Sequence, residues 1–96
     1  LTPQASRIVS VPRVAESPVS FECKCTQILQ MEGIDGQKVS TWMIFGQVVG
    51  VHIDERLLKD GIYDTANAQH VLRGGGPADY FTIGPEQLFL MRRPKA

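Results

Sequence analysis

The sequence predicts a mostly β, antiparallel fold with one short helical insertion, and three observations predict it. Apolar and polar residues alternate from Val19 onward. A second, longer apolar stretch runs from Lys38 to Ile53 after a glycine-bracketed turn, and only residues 54–73 could be helical. Four strands make too small a sheet to close on itself. A barrel or sandwich built from them keeps open edges that something else must cover.

Each element follows from local residue chemistry. Residues 1–18 hold Pro3, Pro12 and Pro18 with no helical period, and are expected to form an extended connector over a surface. From Val19 the residues Val19, Phe21, Cys23 and Cys25 alternate with Ser20, Glu22, Lys24 and Thr26, the period of a half-buried strand that runs to about Met31. The turn Glu32-Gly33-Ile34-Asp35-Gly36 suits the positive backbone angles of a hairpin loop. In the return strand Val39, Met43, Phe45, Val49, Val51 and Ile53 share one parity. Trp42, Ile44, Val48 and His52 share the other, so both faces are largely apolar. Gly46 and Gly50 interrupt that strand and mark a bend or bulge. Asp54-Glu55-Arg56-Leu57-Leu58 predicts a single helical turn stopped by Asp60-Gly61, and Asp64 N-caps a second. After the loop Arg73-Gly74-Gly75-Gly76-Pro77, strands are expected over 79–83 and 87–92, joined at Gly84-Pro85.

Composition excludes several classes of function. The 96 residues suffice for one small domain. Ten basic and ten acidic residues balance, so there is no basic stripe for a nucleic-acid partner. No apolar run approaches the ~20 residues that cross a bilayer as a helix. Residues 1–10 lack the basic start and apolar stretch of a signal peptide, and the chain opens on Leu1 rather than Met. Cys23 and Cys25 sit two apart on one strand face, where disulfide geometry is poor. They read as reduced, buried, small apolar residues in a reducing, cytoplasmic setting. No triad, carboxylate pair or His/Cys metal constellation is visible, so no residue is assigned a catalytic or metal-binding role.

Several segments together resemble the flavin reductase-like family, whose fold is the FMN-binding split barrel. They are Glu16-Ser17-Pro18-Val19-Ser20-Phe21-Glu22-Cys23, then Phe45-Gly46-Gln47-Val48-Val49-Gly50-Val51-His52-Ile53-Asp54, then Arg73-Gly74-Gly75-Gly76 followed by Tyr80, and Leu88-Phe89-Leu90 running into Arg93-Pro94. Their order and spacing match that family's second half over nearly the whole chain. Three departures stand out. Gln47 replaces a usual Glu, Gly74 replaces a bulkier apolar residue and so predicts a more mobile loop, and one extra residue precedes Tyr80.

The resemblance implies a partial, antiparallel split β-barrel, with residues 19–96 as its C-terminal half. The half carrying most FMN contacts is expected to lie outside these residues. It also implies FMN as cofactor, NADH or NADPH as hydride donor, a homodimer, and a flavin-dependent monooxygenase as recipient of reduced flavin. Arg73, Gly75, Gly76 and Tyr80 are the candidate cofactor-binding residues. Glycines let a backbone approach a flat ring or phosphate. Arg73 suits an oxyanion, or else a surface ion pair with Asp79 or Glu86. Tyr80 suits ring stacking or core packing. His52 reads as a hydrogen-bonded structural histidine. Glu22 is a candidate for bridging a basic group across a subunit interface. A non-catalytic FMN-binding or dimerisation module is the alternative function.

Overall fold

The computed structural model describes residues 1–95 and is mostly β. Its strands are β1 (Pro3–Gln4), β2 (Arg13–Val14), β3 (Val19–Glu32), β4 (Lys38–Ile53), β5 (Leu58–Lys59), β6 (Ile62–Tyr63), β7 (Val71–Arg73) and β8 (Tyr80–Thr82). They pair as four two-stranded antiparallel ladders: β1 with β2, β3 with β4, β5 with β6 and β7 with β8. The chain divides into two compact units, Leu1–Ile53 and Asp54–Ala96.

The first unit is dominated by the β3–β4 hairpin. Its turn is set by Gly36 at φ 80, where a side chain is disfavoured. Gly33 N donates to Gln37 O at 2.8 Å, and the Asp35 carboxylate accepts from Gln37 N at 3.1 Å. Residues 1–18 carry a short ladder of their own, with Pro3 opposite Val14 and Gln4 opposite Arg13.

Register decides which side chains share a face, because paired residues point the same way. The irregularity between Glu22 and Cys23 leaves Val49 unpaired, and the one between Cys25 and Gln27 leaves Thr26 unpaired. Each such bulge shifts the parity of its strand by one. Val19, Phe21, Cys23, Cys25 and Ile28 therefore lie opposite Ile53, Val51, Val48, Gly46 and Ile44, in one continuous, mostly apolar face. This corrects the simple parity count. Val51 and Ile53 join Val48, Ile44 and Trp42, and His52 moves to the other face beside Glu22.

That apolar face is not buried. Phe21 is 61% exposed, Ile44 68% and Trp42 57%, and no described apolar side chain is buried. Cys23 and Cys25 are free and exposed, not buried as their alternation suggested, because no described residue of the first unit buries the face they occupy. The chain exposes 8560 Å², against about 5,500 Å² for a typical folded monomer of this mass.

In the second unit the helical insertion resolves into 3-10 turns, Glu55–Leu57 and Thr65–Asn67, and no α-helix occurs among the described residues. The Asp54 side chain caps the first by accepting from Arg56 N at 3.0 Å. Asp64 stands at the second N-cap, but its carboxylate takes Asn67 Nδ2 at 2.7 Å instead of a backbone N–H. Asp60 and Gly61, at φ 54 and 76, form the two-residue turn of the β5–β6 hairpin and are more than a helix stop. The expected 79–83/87–92 hairpin is replaced. Tyr80–Thr82 pairs backward with Val71–Arg73, because Pro85 opens a third 3-10 turn, Pro85–Gln87, where a reversal was expected. None of the residues 88–95 is in a strand.

Candidate functional site

The second unit gathers all four candidate cofactor residues at the β7–β8 connection. Arg73 ends β7, Tyr80 begins β8, and the two are cross-strand partners. Gly75 and Gly76 lie between them at φ 81 and 58, backbone that a side chain would strain. Gly74 N donates to Asp79 O at 2.7 Å, and Asp79 N to Gly75 O at 3.3 Å.

The guanidinium of Arg73 sits at the centre of this loop. It donates to the carbonyls of Gly75, of Asp79 (2.9 Å) and of Gly76 (2.7 Å). Its carbon also lies 5.1 Å from the Tyr80 ring centroid, within cation–π range. The arginine takes the backbone carbonyl of Asp79; among the described residues no ion pair joins it to Asp79 or Glu86. Tyr80 is 62% exposed, so it is not a core residue.

Gly74 has its own local reason. A methyl group there would stand 2.1 Å from the Phe81 ring, so the ring occupies the space that a bulkier residue would need. Arg73 hydrogen-bonds across the loop, and the Phe81 ring lies beside Gly74. Phe81 carried no signal in the sequence beyond its aromatic character, because its role depends on a pairing of β7 with β8 that the sequence reading did not make.

The first unit holds a second polar cluster. Glu22 is 2% exposed, the one buried residue among those described. Its carboxylate accepts from Arg7 N at 2.9 Å, Ile8 N at 2.7 Å and Val9 N at 3.1 Å, and lies 2.5 Å from His52 Nε2. The Arg7 amide above all, then His52, holds the carboxyl down at about 2. Glu22 and His52 are diagonal neighbours on the face opposite the apolar one, since Ser20 pairs with His52 and Glu22 with Gly50. Gly50 permits this, as a Cβ there would come within 3.2 Å of Ile8 Cδ1. The basic group that Glu22 bridges is thus in the same chain, and His52 is hydrogen-bonded as expected. Sequence reading missed the donors at residues 7–9, whose backbone N–H groups have no sequence signature.

A third contact, also unforeseen, joins Tyr63 Oη and His70 Nε2 at 2.9 Å, with the rings tilted at 45°. Both residues are half-buried. A phenol and an imidazole seven residues apart gave no periodic signal.

No family model matches the chain. An uncharacterised protein of Halalkalibacterium halodurans is 36% identical over 94 residues, which is 98% of this chain and 43% of that protein. The crystal structure of nitrilotriacetate monooxygenase component B from Bacillus cereus is similar with a TM-score of 0.76 and 29% identity. That match covers 94% of this chain and 44% of that one. The chain thus spans less than half the length of the relatives it matches. No helix of the structure is long and apolar enough to cross a membrane. With the motifs at 16–23, 45–54 and 73–80, the likeness to a monooxygenase component supports a flavin reductase-like relationship.

Proposed function

We propose that this chain is part of an FMN-dependent NAD(P)H:flavin oxidoreductase, of the split-barrel kind, that supplies reduced flavin to an oxygen-using partner. The observation that carries the proposal is the structural likeness, at 29% identity, to a component of a monooxygenase. When oxygen chemistry is divided between proteins, one component must deliver reducing equivalents to the other, and a diffusible reduced flavin does so. Hydride transfer belongs to the nicotinamide and the isoalloxazine, and the protein supplies orientation and water exclusion. That division of labour suits a chain without an acid–base pair of its own at the loop.

In this reading Arg73, Gly75, Gly76 and Tyr80 border the flavin. The exposed Tyr80 ring fits a flat heterocycle, and the positive-φ glycines allow its close approach. The open apolar face of the β3–β4 hairpin is covered by the rest of a longer polypeptide and by a second copy in a cytoplasmic homodimer. The test is anaerobic mixing of a full-length polypeptide carrying these residues with FMN and NADH or NADPH. Bleaching of the flavin band supports the reading. Tight FMN binding without bleaching would replace it with the non-catalytic flavin module.

A further inference from the structure

We infer that Arg73 is a positioning residue, which shapes the glycine loop and backs Tyr80, and acts on a bound flavin through that loop and ring. The inference rests on the flavin reading for its ligand, but its geometry stands without it. A guanidinium has five N–H donors in a fixed fork. Three donor contacts are already directed to the carbonyls of Gly75, Gly76 and Asp79, all within its own loop. Those bonds take both Nη1 donors and one Nη2 donor, so the end-on edge of the fork is directed at the backbone, while Nε–H and the second Nη2–H are not used by them.

The same bonds set the direction of the loop's amides. In a trans peptide the N–H points opposite the carbonyl of the preceding residue. Turning the Gly75 carbonyl toward Arg73 sends the Gly76 N–H outward. Turning the Gly76 carbonyl inward gains nothing further, because Pro77 has no N–H. The Asp79 carbonyl, also turned to Arg73, sends the Tyr80 N–H outward by the same rule. What the arrangement does present is an aromatic ring, 62% exposed, with a cation over it 5.1 Å from its centroid.

In this inference Arg73 acts on a flavin through the loop and the Tyr80 ring. Riboflavin and FMN should be equally sensitive to its loss.

The experiment compares the full-length wild type with Arg73→Lys and Arg73→Ala, measuring riboflavin and FMN affinity by fluorescence quenching. Lysine keeps the charge but cannot fork to three carbonyls. The expected result is that both variants weaken both flavins alike, with the FMN-to-riboflavin affinity ratio unchanged. Loss of FMN affinity alone, with Lys retaining most of it, would overturn the inference and make Arg73 the phosphate ligand.

Amide hydrogen exchange gives a readout that needs no flavin. Exchange at Gly74 and Asp79 should accelerate more than about tenfold in both variants, with the amides of the β3–β4 hairpin unchanged as a control for folding. Unchanged exchange at Gly74 and Asp79 would overturn the positioning role. A wild type that binds neither flavin would sink the flavin reading while leaving exchange to decide the role of Arg73.

Discussion

Glu22 shows how one side chain sets a local fold. Its carboxyl is held at about 2, against an ordinary 4.5, by the Arg7 amide first and by His52 next. A carboxyl depressed in the folded state adds stability that is fully present above 4.5 and is lost as pH falls toward 2, because the unfolded chain takes up the proton first. Glu22→Gln should therefore lower the urea midpoint at neutral pH and flatten its decline below pH 4.5. An unaltered acid limb in that variant would mean that the clasp at residues 7–9 contributes nothing. Gly74 is the matching case in the second unit. Gly74→Ala should cost about 1 kcal/mol, near the low end for overpacking because the exposed Phe81 ring can turn aside. In a Phe81→Ala background the same change should be nearly neutral, a non-additivity that a double-mutant cycle would read.

At the level of elements, the legible parts were those written in local periodicity. The β3–β4 hairpin, its turn and the first 3-10 turn follow from alternation, glycine placement and the Asp54 cap, whereas Asp64 heads the second turn without capping it. The assignment of faces did not follow. Two bulges shift parity by one residue each, and neither Val49 nor Thr26 differs in kind from its paired neighbours. The partner of Tyr80–Thr82 was missed for a similar reason. Pairing with Val71–Arg73 across the glycine loop is decided by the Arg73 hydrogen bonds, whereas Gly84-Pro85 reads locally as a reversal. The four candidate site residues were named by a motif, and they lie side by side at the β7–β8 connection. The apolar hairpin face yields a prediction of its own. Val51 is 53% exposed, so Val51→Lys should shift the stability of the 96 residues alone by less than about 0.5 kcal/mol. The same change should abolish whatever association covers that face. A large loss of stability in the isolated chain would show instead that the face is already packed.

For the whole molecule the governing quantity is area. An exposed surface roughly 3,000 Å² above the norm for its mass, with no buried apolar side chain described, lies in the range that obligate interfaces cover. Trp42, the one tryptophan, reports on it directly, being 57% exposed on that face. Its emission in the chain alone should be that of a solvated indole, open to iodide quenching, and should shift to the blue when a covering layer or second copy docks. Emission already blue and protected at high dilution would contradict an open face. The central claim is that these residues form part of a flavin-handling protein, and visible absorption with added FMN tests it most directly. The measurement compares the 96 residues alone with a polypeptide of the relatives' full length that carries them. The account predicts a quenched, red-shifted flavin band in the longer chain and an unperturbed one in the shorter. An unperturbed band in both would contradict it.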